Sequence, residues 1–111
     1  MALELACSLD EVADDQALAV TLDGIEIAIA RDGDEVYALQ DLCSHQAVPL
    51  SEGEVADCQI ECFLHGSMFD LRTGKPTNLP ATEPVSTFPV EVRDGVVYVD
   101  VSTTLNGVQP T

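Results

Sequence analysis

Positive charge is scarce in this chain. Its 111 residues hold 4 Lys and Arg against 20 Asp and Glu, a formal charge of −16. Proteins that grip nucleic acid neutralise phosphates with Lys and Arg, so that class is excluded. Docking on an anionic membrane surface is disfavoured for the same reason. Tryptophan is absent and aromatics are only 5%, which leaves Val, Ile, Leu and Ala to build the core. No apolar run approaches the about 18 residues of a spanning helix. Met1 to Asp10 has no Lys or Arg and no long apolar stretch, which argues against a secretory leader and makes the cytoplasm the expected location. What is present is a hydrophobic content of 46% in a length suited to one folded domain.

Helical periodicity is also missing. Short apolar runs alternate with Gly or Asp-Gly punctuation. Leu3 to Leu9 reads as a strand, and Asp10 to Gln16 as an acidic turn with at most one helical turn. Ala17 to Leu22 and Ile25 to Ala30 flank Asp23-Gly24, a strong hairpin signal. Asp32-Gly33 marks a second turn into Glu35 to Leu39. Val85 to Val92 and Val96 to Val101 are strands joined through Arg93-Asp94-Gly95. The fold class is therefore all-β, with antiparallel sheet on both flanks. Residues 41–84 differ: they hold both histidines, three glycines and four prolines, with short strands at Gln59 to Glu61 and Ser67 to Leu71 and loops elsewhere. A single domain over 1–101, with about 41–84 inserted as a loop-rich subdomain, is expected. The small polar residues of 102–111 should fray.

The four cysteines are Cys7, Cys43, Cys58 and Cys62, and the two histidines each follow one of them closely. Cys43-Ser44-His45 is separated by 16 residues from Cys62-Phe63-Leu64-His65. Thiolate is a soft ligand and imidazole an intermediate one, so zinc, iron and iron–sulfur clusters are all candidates. Zinc Cys2His2 sites usually take both cysteines from one knuckle and both histidines from another. Here each loop offers one of each. That suits a binuclear site in which one iron takes both cysteines and the other both histidines, the asymmetric [2Fe–2S] centre. A structural zinc site is the competing possibility. For Cys7 and Cys58 the simplest role is that of small buried hydrophobes.

With these residues the chain resembles the Rieske proteins, whose C-x-H and C-x-x-H signatures stand here as Cys43-x-His45 and Cys62-x-x-His65. It is most similar to the small Rieske ferredoxins that feed aromatic-ring-hydroxylating dioxygenases. The resemblance covers about residues 2–101, including the run Ile60 to Pro76 around the second loop, Leu79-Pro80-Ala81 at the start of a proline-containing loop, and the closing strands from Val85 to Val101. It implies one [2Fe–2S] cluster held by Cys43, His45, Cys62 and His65, with Gly66, Ser67 and Pro80 around it. The bracing disulfide of respiratory Rieske proteins is not implied, because Val48 and Leu64 stand at its positions. A tyrosine donor to sulfur is replaced by Phe69, whereas Ser67 matches a serine donor. Fewer hydrogen bonds to sulfur imply a potential toward the low end of the Rieske range.

Two functional classes follow from this reading. The first is a one-electron carrier, not itself an enzyme. It would take electrons from a flavoprotein reductase and pass them to a terminal non-haem iron oxygenase, or to another acceptor such as a nitrite-reductase-type system. The second is an oxygenase component. It is disfavoured because both histidines are already used and non-haem iron needs more. No glycine-rich dinucleotide fingerprint is present, so direct hydride uptake from a nicotinamide is not expected. The acidic chain should meet basic docking patches on its partners, with Glu52, Glu54 and Asp57 as weak candidates for the contact.

Overall fold

Strands Ile25–Asp32 and Gln16–Leu22 meet at Asp23-Gly24, and that hairpin sets the frame of the molecule. The computed structural model describes residues 3–43, 48–62, 66–78 and 82–108. In chain order the strands are β1 (Glu4–Ser8), β2 (Gln16–Leu22), β3 (Ile25–Asp32), β4 (Glu35–Gln40), β5 (Val55–Ala56), β6 (Gln59–Glu61), β7 (Met68–Asp70), β8 (Thr87–Phe88), β9 (Val90–Arg93) and β10 (Val96–Val99). They form three antiparallel sheets ordered β1-β10-β9, β2-β3-β4-β8 and β5-β6-β7. Single 3-10 turns occupy Leu9–Glu11 and Leu50–Glu52.

Turn chemistry explains the hairpins. Asp23 and Gly24, like Asp94 and Gly95, both have positive φ, the signature of type I′ turns, whose twist matches that of the flanking strands. The β5–β6 turn uses the same positive φ pair with Asp57 and Cys58, where neither residue is glycine. That absence hides the hairpin from the sequence, which suggests only a loop before Gln59.

The central sheet is covered on both faces. In β3, Ile27, Ala28, Ile29 and Ala30 are all buried. In β4, Ala38 joins one core with Ile27, Ile29, Phe88, Cys7, Val97 and Val99, while Leu39 joins another with Ala30, Val55, Ile60 and Phe69. Alternate side chains of one strand thus serve two cores, one toward β1-β10-β9 and one toward β5-β6-β7. Burying a side chain the size of Ile27 or Phe69 contributes roughly 1.5–3 kcal/mol.

One sequence expectation differs from the structure. Val85 to Val92 is not one strand. It is broken at Pro89, which has no N–H for a ladder, and the pieces fall into different sheets. Beyond β10, residues within 102–108 hydrogen-bond back to the body of the fold. The Leu105 N–H donates to the Thr87 carbonyl at 2.8 Å. Asn106 donates through Nδ2 to the carbonyls of Thr73 and Val85, both at 2.8 Å, and its Oδ1 accepts from the Thr87 N–H at 3.3 Å. With the Val108 N–H, which also donates to Oδ1 at 3.2 Å, one small polar side chain satisfies four backbone groups there, which composition does not reveal. Among the described residues no helix is long and apolar enough to cross a membrane.

Candidate metal centre

The two Cys–His loops begin with the same hydrogen bond. The Cys43 N–H donates to the carbonyl of Val48 at 2.9 Å, and the Cys62 N–H to the carbonyl of Ser67 at 2.7 Å. In both, a cysteine is tied to the fifth residue after it, with a histidine of the motif in between. The second loop has a further bond from the Gly66 N–H to the Cys62 carbonyl at 2.9 Å. Gly66 supports it with φ +76°, a left-handed conformation that glycine adopts without strain. Cys43 and Cys62 are both buried and share one core cluster with Leu50, Val55, Ile60, Phe69 and Val85. None of the four cysteines is disulfide-bonded.

Of the seven residues expected around the site, Cys43, Cys62, Gly66 and Ser67 fall within the described structure. His45, His65 and Pro80 lie outside the described residues. Ser67 is fully buried, and its carbonyl closes the second loop. Phe69 is fully buried in the same core as the two cysteines. Val48, where a bracing cysteine would stand, is only partly buried and packs against that core.

Side chains outside the two Cys–His motifs brace both loops. Asp41 is buried; its Oδ1 accepts from the Ser51 N–H at 2.7 Å and its Oδ2 from the Ser51 hydroxyl at 2.8 Å. This pins the start of the first loop to the 3-10 turn that follows it. Gln40, also buried, accepts through Oε1 from the Ser86 N–H and hydroxyl, at 3.2 and 2.9 Å. Its Nε2 donates to the Leu42 carbonyl, one residue before Cys43, at 3.0 Å. On the second loop, Asn78 accepts from the Met68 N–H at 2.6 Å and donates to the Gly66 carbonyl at 3.1 Å. The loops also meet through backbone. A Cβ on Gly53 would lie 1.6 Å from the carbonyl oxygen of Glu61, the residue before Cys62.

The other two cysteines have different surroundings. Cys7 is buried in the second core, and burial, with Glu11 nearby, raises its thiol above the usual range. Cys58 is half-buried and packs, with Tyr37, against the first core. The thiol of Cys58 beside it, with burial, holds the Tyr37 phenol above its ordinary value against the opposing pull of Arg72. Glu52, Glu54 and Asp57 are exposed along the stretch between the 3-10 turn and β6.

An all-β frame in which Cys43 and Cys62 open two loops of like closure over one core marks a metal-binding domain. The chain belongs to the Rieske [2Fe-2S] domain family, which it matches over residues 3–89. It is 45% identical over 94 residues to the anthranilate 1,2-dioxygenase ferredoxin subunit of Burkholderia cepacia, covering 85% of this chain and 87% of that protein. Among solved structures it resembles the ferredoxin of carbazole 1,9a-dioxygenase from Nocardioides aromaticivorans IC177. There the TM-score is 0.84 at 38% identity, over 89% of this chain and 97% of the other. It also matches a chain in a complex of reduced oxygenase and oxidised ferredoxin of carbazole 1,9a-dioxygenase, with a TM-score of 0.81 at 37% identity, over 87% and 91% of the two chains.

The family's cofactor is one Rieske [2Fe–2S] cluster, and the described residues fit it. Two soft thiol donors, neither in a disulfide, start two loops of equal closure and share one apolar cluster.

Proposed function

We propose that the protein carries single electrons from a flavoprotein reductase to a terminal non-haem iron oxygenase, and that it is not itself a catalyst. The observation that carries this reading is the extent of the match. Relatives named as dioxygenase ferredoxin subunits align over 85% or more of the chain, and one structural relative is a ferredoxin seen with its oxygenase. In this reading Cys43 and Cys62 ligate one iron and His45 and His65 the other, with Gly66, Ser67 and Pro80 around them. The domain spans 1–101, the cluster-binding part being about 41–84, and the protein works in the cytoplasm. When bound, the cluster accepts and returns one electron. The chain's own residues hold the two loops in register, keep both cysteines in an apolar core and close the second loop at Gly66.

Holoprotein purified under reducing conditions should be red-brown, with iron and acid-labile sulfide in equal amounts, about two of each per chain. Colourless protein with one zinc and no sulfide would end this reading. Docking should rest on charge. Of the four cations, Arg31 is engaged by the Val12 and Gly33 carbonyls and Arg93 by Glu91. With 4 Lys and Arg against 20 Asp and Glu, the surface keeps a strong negative field. Electron-transfer rates with reductase and oxygenase should fall as salt rises from about 10 to about 150 mM, where screening shortens from about 30 to about 8 Å. Salt-insensitive rates would assign the acidic surface to solubility alone.

A further inference from the structure

Past the second loop, β7 is followed by a turn, and the chain then runs back beside the loop's return limb. The Thr77 N–H donates to the Met68 carbonyl at 2.8 Å. At Asn78 the side chain takes over the pairing. Its Oδ1 accepts from the Met68 N–H at 2.6 Å, and its Nδ2 donates to the Gly66 carbonyl at 3.1 Å. A planar amide with one acceptor and one donor does the work of a neighbouring peptide group, so Asn78 adds a rung to the ladder beyond Thr77. Gly66 in turn donates to the Cys62 carbonyl. A short chain of hydrogen bonds therefore runs from Asn78 to the cysteine that opens the loop. Asp at this position would keep the acceptor and lose the donor; Ala would lose both.

We propose that Asn78 is a positioning residue for the second Cys–His loop. It fixes the return limb at Gly66 and Met68, so that the loop carrying Cys62 and His65 stays closed around the cluster. The inference rests on the ligand reading given above. Asn78 is exposed, so its replacement leaves the cores intact, and its effect is local.

The test compares wild-type holoprotein with Asn78→Ala and Asn78→Asp. Iron release into excess chelator, hydrogen exchange of peptides covering residues 66–70, and the g-values of the dithionite-reduced protein are measured on each. Asn78→Ala should release iron about tenfold faster, the scale of two modest hydrogen bonds. Exchange should rise in 66–70 and not in β2 to β4, and the g-values should shift. Asn78→Asp should keep the Met68 amide protected yet still release iron faster than wild type. Wild-type release, exchange and g-values in Asn78→Ala would overturn the proposal. So would exchange that rises evenly along the chain, which marks general destabilisation. A wild-type protein without iron, sulfide and a Rieske-type signal overturns the ligand reading and this inference together. A normal wild type with a silent Asn78→Ala overturns only the inference.

Discussion

Around the first Cys–His loop, the bracing side chains Gln40 and Asp41 are buried, and Gln40 pairs with a fully buried Ser86. Around the second, Thr77 and Asn78 are exposed, although the bond that closes each loop is the same. Water competes for an exposed amide and not for a buried carboxylate. The braces of the first loop are therefore shielded from solvent, whereas those of the second are open to its competition. One motif, repeated, is supported by two kinds of chemistry.

The largest expected effect tests what the loops share. Cys43→Ser and Cys62→Ser should each abolish cluster loading, read as iron and sulfide per chain; a full complement in either variant would break the equivalence of the two loops. Next in size is Asp41→Ala. It removes two charge-assisted bonds and strands the Ser51 N–H, which should destabilise the fold by about 2–4 kcal/mol in urea unfolding. Asn78→Ala should change the same measurement by about 1 kcal/mol or less. Equal losses would remove the distinction between buried and exposed bracing.

The smallest effect supplies a baseline from a thiol outside both loops. Cys7→Ala should leave iron content unchanged. Burial first, and Glu11 second, raise the Cys7 thiol above 9.0 in the folded state. The unfolded chain then loses this proton at lower pH than the native one. Its contribution to stability is complete below about pH 9 and declines as pH rises through the folded value. Urea midpoints at pH 8, 9 and 10 should fall less steeply in Cys7→Ala than in wild type; parallel slopes would show that this thiol does not drive the alkaline loss.

The hairpins at Asp23-Gly24 and Asp94-Gly95 were legible because their turn chemistry is local. The β5–β6 hairpin was not, since Asp57 and Cys58 occupy left-handed φ without a glycine to announce it. Pro89 carried a local signal for the break between β8 and β9, but the valines around it suggested one continuous strand. At the site, the paired Cys–His spacing was readable directly. The braces were not, because Gln40 meets Ser86 and Asn78 meets Gly66 across separations of 46 and 12 residues. An Asn or Gln in isolation says nothing about which distant backbone it will hold.

Gly53 sits where the chain leaving the first loop passes the chain about to form the second, with no space between them for even a methyl group. In evolutionary terms the position is closed: any side chain there pushes the backbone just before Cys62, so a substitution in one loop is felt by the other. The exposed neighbours Glu52 and Glu54 meet no such obstacle to folding, but position 53 has a single allowed letter. Random libraries selected for red colonies should return glycine there while neighbouring Glu52 and Glu54 drift.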